Sequence, residues 1–145
     1  MDQASQLHAS RVVRIVHTAL LGGLTLCGAM LYFVRRVLQP PAVGEAPVLT
    51  IVLAVTAVVL LVIAVGVLRP RIPDRRPEQD SDAYWRDVTS RGAAIVLWAT
   101  VEGAGLVGAV GYFLTGGTAP AVAFALALAA LVLFRPGRLD GDAGA

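Results

Sequence analysis

The sequence predicts an all-α protein: a four-transmembrane-helix bundle built from two tandem helical hairpins, the second a parallel internal repeat of the first. Three observations predict it. Four long apolar runs dominate the chain, arginines mark the ends of those runs unevenly, and the first and third runs align with each other. Of 145 residues, 57% are hydrophobic and 15% charged, whereas a soluble domain holds roughly 45–50% apolar and about 25% charged residues. Four such runs in a soluble fold of this size would leave too little polar surface to face water.

The runs cover about residues 12–34, 46–68, 92–114 and 119–134. Crossing ~30 Å of hydrocarbon as a helix takes about 20 residues, and the first three runs suffice. The fourth is near the lower limit of about 17, so it is expected to start inside the Thr115–Pro120 turn or to stand nearly upright. This divides the chain into a first hairpin (1–70), an Arg/Pro/Asp-rich linker (71–89) and a second hairpin with a short polar tail (90–145). The segment L-T-L-C-G (Leu24–Gly28) faintly resembles a lipoprotein cleavage box. Leu26 occupies the place of the small residue such a box needs, and the apolar run continues to Val34, so the expectation is a helix that stays. Cys27 is the one cysteine, which excludes an intramolecular disulfide.

All twelve basic residues are arginine. Arg11 and Arg14 open the first run, six more lie in the middle loop, and Arg135 and Arg138 follow the fourth run, while only Arg35 and Arg36 lie at the other end. With four crossings this is ten arginines on one side against two, so the positive-inside rule places both termini and the linker in the cytoplasm. The net charge of +2 is therefore a topology signal and not a nucleic-acid surface. The linker also carries Asp74, Glu78, Asp80, Asp82 and Asp87, which nearly neutralise it. Its R-P-R-I-P-D-R-R-P stretch predicts irregular chain, followed by a short helix through Ala83–Arg86 capped by Asp80 or Ser81. Tyr84 and Trp85 at one face, and Tyr32 and Tyr112 at the other, fit the aromatic belts of the headgroup layers.

Eighty positions separate the two repeats. S-R-V-V-R-I-V-H-T-A-L-L-G-G-L-T-L-C-G-A-M-L-Y-F-V from Ser10 matches S-R-G-A-A-I-V-L-W-A-T-V-E-G-A-G-L-V-G-A-V-G-Y-F-L from Ser90 at eleven of twenty-five positions without a gap. The second and fourth runs end alike, in V-L-R-P and L-F-R-P. Small residues recur at helical spacing, Thr18-Gly22-Thr25-Ala29 and Ala104-Gly108-Gly111-Thr115. Helices in lipid associate through close backbone approach, so Gly22, Gly23, Gly28, Gly103, Gly108 and Gly111 are the expected packing positions. The expectation is helix one against helix three, flanked by two and four; the same faces would also serve a homo-oligomer or another membrane protein.

One residue breaks the repeat. Glu102 aligns with Gly22 and stands near the bilayer midplane, with no other charge from Gly92 to Leu114. A charge there costs upwards of ~2.5–3.5 kcal/mol on the insertion scale, so it is expected to turn inward, find partners or stay protonated. Thr56 matches it in depth from helix two. His17 lies about five residues, or roughly 7.5 Å, nearer the cytoplasm on helix one. One reading is a proton or cation site formed by Glu102 and Thr56, with His17 as a relay and Arg14 and Arg91 at its mouth. The other is a protonated Glu102 that bonds across helices and sets their register. No His/Cys/Asp cluster suggests a metal. The two histidines, His8 and His17, share one segment and so do not suit a haem. The glycines lie in no βαβ context that would make them a phosphate cradle. An enzyme is not expected, nor a cofactor or a nucleic-acid partner.

W-A-T-V-E-G-A-G-L-V-G-A-V-G-Y-F-L-T-G and the following R-P stop resemble a segment of small uncharacterised four-helix inner-membrane proteins of bacteria. That likeness implies a plasma-membrane location and no particular activity. A duplicated hairpin with a midplane glutamate is also similar to the proteolipid subunits of rotary ATPases, whose carboxylate lies on the second helix of a hairpin and not, as here, on the first. The small multidrug exporters are similar in having four helices and one membrane carboxylate, theirs on helix one. The function expected is a non-catalytic accessory or assembly subunit in the bilayer; the alternative is a small proton- or cation-coupled transporter or channel working through Glu102.

Overall fold

A computed structural model describes residues 9–40 and 46–141. Among them the chain folds into helices and connecting turns, with no strand. The helices are α1 (Ala9–Leu38), α2 (Ala46–Ile63), α3 (Ser81–Arg86), α4 (Val88–Thr115), α5 (Thr118–Leu133) and α6 (Pro136–Leu139). Three segments are long and apolar enough to cross a membrane: α1, Pro47–Arg71 and α4. At 16 residues α5 is shorter, rising about 24 Å, and it packs back along α4. His8 and the polar tail beyond 141 lie outside the described residues.

Prolines and caps end the helices. Pro70 has no N–H to offer the carbonyl four residues back; α2 widens there into a π turn (Ala64–Leu68), in which the Arg69 N–H reaches Ala64 O, and then tightens through Arg69–Arg71. Gly116 closes α4 in the left-handed region (φ 69°) and returns its N–H to Tyr112 O at 2.8 Å, a backbone state that glycine adopts freely. Arg35 donates to Phe113 O and stands 5.9 Å from the Tyr112 ring, a cation at the negative end of α4.

α4 is the centre of the bundle. Of its most apolar window 44% is buried, against 17% for α1 and for Pro47–Arg71. It packs against α5, α2 and α1, whereas among the described residues α1 and α2 do not pack along each other. The expected contact of helix one with helix three is present, in register: His17 meets Trp98, Leu24 lies where a Cβ on Gly105 would go, and the Tyr32 and Tyr112 rings stack at 5.9 Å. These pairs are 80 or 81 residues apart, the spacing of the sequence repeat. The repeat of hairpins expected from the sequence is not seen in the packing, since among the described residues α4–α5 has no counterpart between α1 and α2.

The packing glycines divide into two sets. A Cβ on Gly108 would fall 2.7 Å from Phe124 N and 2.8 Å from Pro120 O, and one on Gly111 would crowd Pro120 and Leu53. A Cβ on Gly28 would enter the Phe124 ring. These three serve contacts within the chain. Gly22, Gly23 and Gly103 have nothing within 4 Å of an added Cβ, which corrects the expectation that they pack against neighbouring helices of this chain.

The short α3 ties the ends of the longer helices together. Asp80, not Ser81, caps it, accepting from Ala83 N. Asp82 accepts the Ser10 N–H at the start of α1 (3.1 Å) and pairs with Arg86 (3.0 Å). Asp87 breaks the chain between α3 and α4 and caps α4, accepting from Ser90 N and Ser90 Oγ. The Ser10 N–H holds the Asp82 carboxyl below its ordinary value, and the Ser90 N–H does so for Asp87. A lowered folded-state pKa gives stability that is present above the unfolded value of about 3.9 and lost as pH falls through the folded value. The Ser10 and Ser90 amide NMR shifts in micelles are therefore expected to titrate with midpoints below 3.9. A midpoint at or above that value would contradict both caps.

Candidate functional site

Glu102 projects from α4 with intermediate exposure. Among the described residues it has no hydrogen-bond or ion-pair partner. The in-register pairs His17–Trp98 and Leu24–Gly105 bracket it, so it stands level with Leu21 and Gly22 on α1.

The structure does not bring Thr56 to it. Gly111 marks the α2 side of α4, because an added Cβ there would lie 3.2 Å from Leu53 Cβ. Nine residues are two and a half turns at about 3.6 residues per turn, so Glu102 points away from the side that faces α2. α2 runs antiparallel to α4, with Thr50 at Gly117 and Leu53 at Gly111. Thr56 is thus about 9 Å nearer the Gly116 end. Its hydroxyl donates to Val52 O of its own helix, as Thr18, Thr25 and Thr100 do to theirs. Such back-bonding satisfies a threonine in lipid without any neighbour.

His17 is engaged elsewhere. Its Nε2 donates to Leu131 O at 2.9 Å, and its ring stands edge-on to Trp98 at 5.0 Å. Trp98 Nε1 donates to Phe134 O at 2.7 Å. The reason lies in α5. Its last carbonyls have no helical N–H to accept, since the chain turns at Arg135-Pro136. Unpaired backbone groups are costly away from water, and His17 and Trp98 supply the two donors. His17 is therefore a cap for α5, its Nε2 engaged by Leu131 O and not by Glu102.

The stack continues outward. Trp98 faces Trp85 at 6.1 Å, and Trp85 meets Tyr84 edge-on at 4.8 Å. Asp140, fully buried, accepts from Trp85 Nε1 (2.8 Å) and from Ser81 Oγ (2.7 Å). Tyr84 donates its hydroxyl to Pro73 O at 2.8 Å, and burial pushes its phenol pKa up. The clamp thus joins α1, α3, α4 and the chain after α5. Sequence reasoning placed Trp85 and Tyr84 in a headgroup belt and assigned nothing to Trp98 or Asp140. The one signal for Trp98 was a tryptophan inside an apolar run with its N–H to satisfy.

Among the described residues, open cavities at the ends of the bundle include one of about 460 Å3 at Arg135 and Arg138 and two lined by further charged side chains. One of the two, about 800 Å3, is lined by Asp74, Arg76, Glu78, Tyr84 and Asp87 beside the linker. The other, about 270 Å3, lies at Arg35 and Arg36. Glu102 lines none of these. Among the described residues no three His, Cys, Asp or Glu side chains come together as a metal site. No protein-family model, curated protein or solved structure matches the chain.

Proposed function

We propose that the chain is a non-catalytic assembly subunit of a bacterial plasma-membrane complex, docking a partner helix on the flank of α4 that carries Glu102. Four crossings with both termini in the cytoplasm, in two hairpins descended from one, are part of this reading. The observation that carries it is the absence of any polar partner for Glu102 among the described residues. An acid at mid-depth is costly until a donor meets it, and a partner helix with a hydroxyl, amide or basic side chain is such a donor. Gly22 and Gly23, level with Glu102, and Gly103 beside it are open to close approach. The proton-transport alternative would place Glu102 in a polar cavity, and the cavities at the linker, at Arg35 and Arg36 and at Arg135 and Arg138 are lined by other residues.

The test is extraction of the tagged full-length chain in mild detergent, with native mass spectrometry of what accompanies it. Wild type is expected to carry a second membrane chain, either another copy or a different protein. Glu102→Leu is expected to lose it at least tenfold, corresponding to about 1.4 kcal/mol, while Glu102→Gln retains it through the amide. The Leu variant should fold as wild type does, since no bond within the chain is removed. A wild type that extracts alone, with Glu102→Leu unchanged, would overturn assembly. Proton flux in liposomes that Glu102→Gln abolishes would replace assembly with transport.

A further inference from the structure

A second feature, which does not involve Glu102, lies where α1 packs on α5. An apolar groove of about 370 Å3 runs between α1, α4 and α5, within the size range of ligand pockets. Its walls are Thr25, Gly28 and Ala29 of α1, Ala109 of α4, and Ala121 and Phe124 of α5. Phe124 packs directly on Gly28, where a Cβ would collide with the ring. The small side chains at 29, 109 and 121 leave the space above unfilled. The one polar side chain among these six is already satisfied, since Thr25 donates to Leu21 O.

At the α1 C-terminal end Tyr112 lines both the groove and the neighbouring cavity, whose other walls are Arg35, Arg36, Gln39 and Pro40. An apolar slot that opens onto two guanidinium groups at the headgroup level matches one kind of molecule, in which a hydrocarbon chain continues into an anionic head. A partner helix would fill the slot and leave the arginines unmatched. A free anion would match the arginines and leave the slot empty. We infer that this flank binds one anionic phospholipid, its acyl chain in the Gly28–Phe124 groove and its phosphate at Arg35 and Arg36. Arg35 is fixed by its bond to Phe113 O and by the Tyr112 ring, whereas Arg36 is exposed and is the side chain that selects the head. Basic side chains at a membrane surface attract anionic heads within about a Debye length.

The test uses the full chain in nanodiscs of phosphatidylglycerol and phosphatidylcholine in equal amounts, released and weighed by native mass spectrometry. One phosphatidylglycerol is expected to stay with each chain in preference to phosphatidylcholine. Arg36→Gln should reduce that preference about fivefold, which is the factor corresponding to ~1 kcal/mol for one basic side chain at a membrane surface; Arg36→Lys should keep it. Ala29→Phe, at an exposed position on the groove wall, should release both lipids. If its circular dichroism shows that it has not folded, Ala121→Phe makes the same block from α5. Excess inorganic phosphate should leave the lipid in place. Equal retention of the two lipids by wild type, an unchanged preference in Arg36→Gln, lipid retained in a folded groove-blocking variant, or displacement by phosphate would each overturn the inference.

Discussion

Gly108→Ala is expected to lower the stability of the bundle by about 3 kcal/mol, the upper end of the usual overpacking penalty, and Gly108→Val to leave no folded α4–α5 hairpin. The added carbon would meet Phe124 N at 2.7 Å, Pro120 O at 2.8 Å and Phe124 Cα at 3.1 Å, all of them backbone. A side chain can rotate away from such a contact. A helix backbone moves only by separating from its neighbour, which here would strip α4 of the helix it packs against most extensively. Five residues earlier the sign reverses. Nothing lies within 4 Å of a Cβ on Gly103, so Gly103→Ala is expected to gain roughly 0.5–1 kcal/mol from helix propensity. Reversible unfolding in mixed micelles, followed by circular dichroism, reads both. Equal stability of the two alanine variants would mean that the α4–α5 approach is not as close as described.

Removing the donors at the end of α5 should have the next largest effect. Trp98→Phe keeps the ring against His17 and Trp85 but deletes the Nε1–H bond to Phe134 O; His17→Leu deletes the bond to Leu131 O. Each leaves a backbone carbonyl without its donor, at a cost of about 1–3 kcal/mol. The two rings touch, so the costs should not add. A double-mutant cycle is expected to give a coupling of about 0.5 kcal/mol or more. Unfolding of all four chains of the cycle, followed by circular dichroism, measures it. Single variants within 0.5 kcal/mol of wild type, the range of ordinary surface changes, would remove the capping role of both residues.

What could be read from the sequence was local. The R-P stops, the Thr115–Pro120 turn, a cap at Asp80 or Ser81 and the apolar run lengths placed the helices to within a few residues, because each acts through its own neighbours along the chain. The contact of helix one with helix three was also expected, from the small residues on their faces, but not which residues of α1 and α4 meet. What could not be read was the side of α4 on which each neighbour lies. Gly103 and Gly108 look alike in sequence, and only the position of α5 makes one a contact and the other open. Thr56 was matched to Glu102 by counting from helix ends, which missed the register by about 9 Å and carries no information about azimuth, and α2 lies on the other side. His17 is drawn to Leu131 O because α5 is short. That shortness was visible in the sequence; which side chain would reach its end was not. Asp140 sits in a terminal stretch that reads as solvated tail and is buried only because Trp85 and Ser81 turn toward it.

The central place of α4 also sets an order of events during synthesis. α1 and α2 emerge first, yet what they pack against is made afterwards. The 77 residues from Leu38 to Thr115 take roughly 4–15 seconds to translate at 5–20 residues per second. Through that interval the early helices wait in the bilayer as separate rods. Until α4 is made, the faces of α1 and α2 that it will cover have nothing in this chain to lie against.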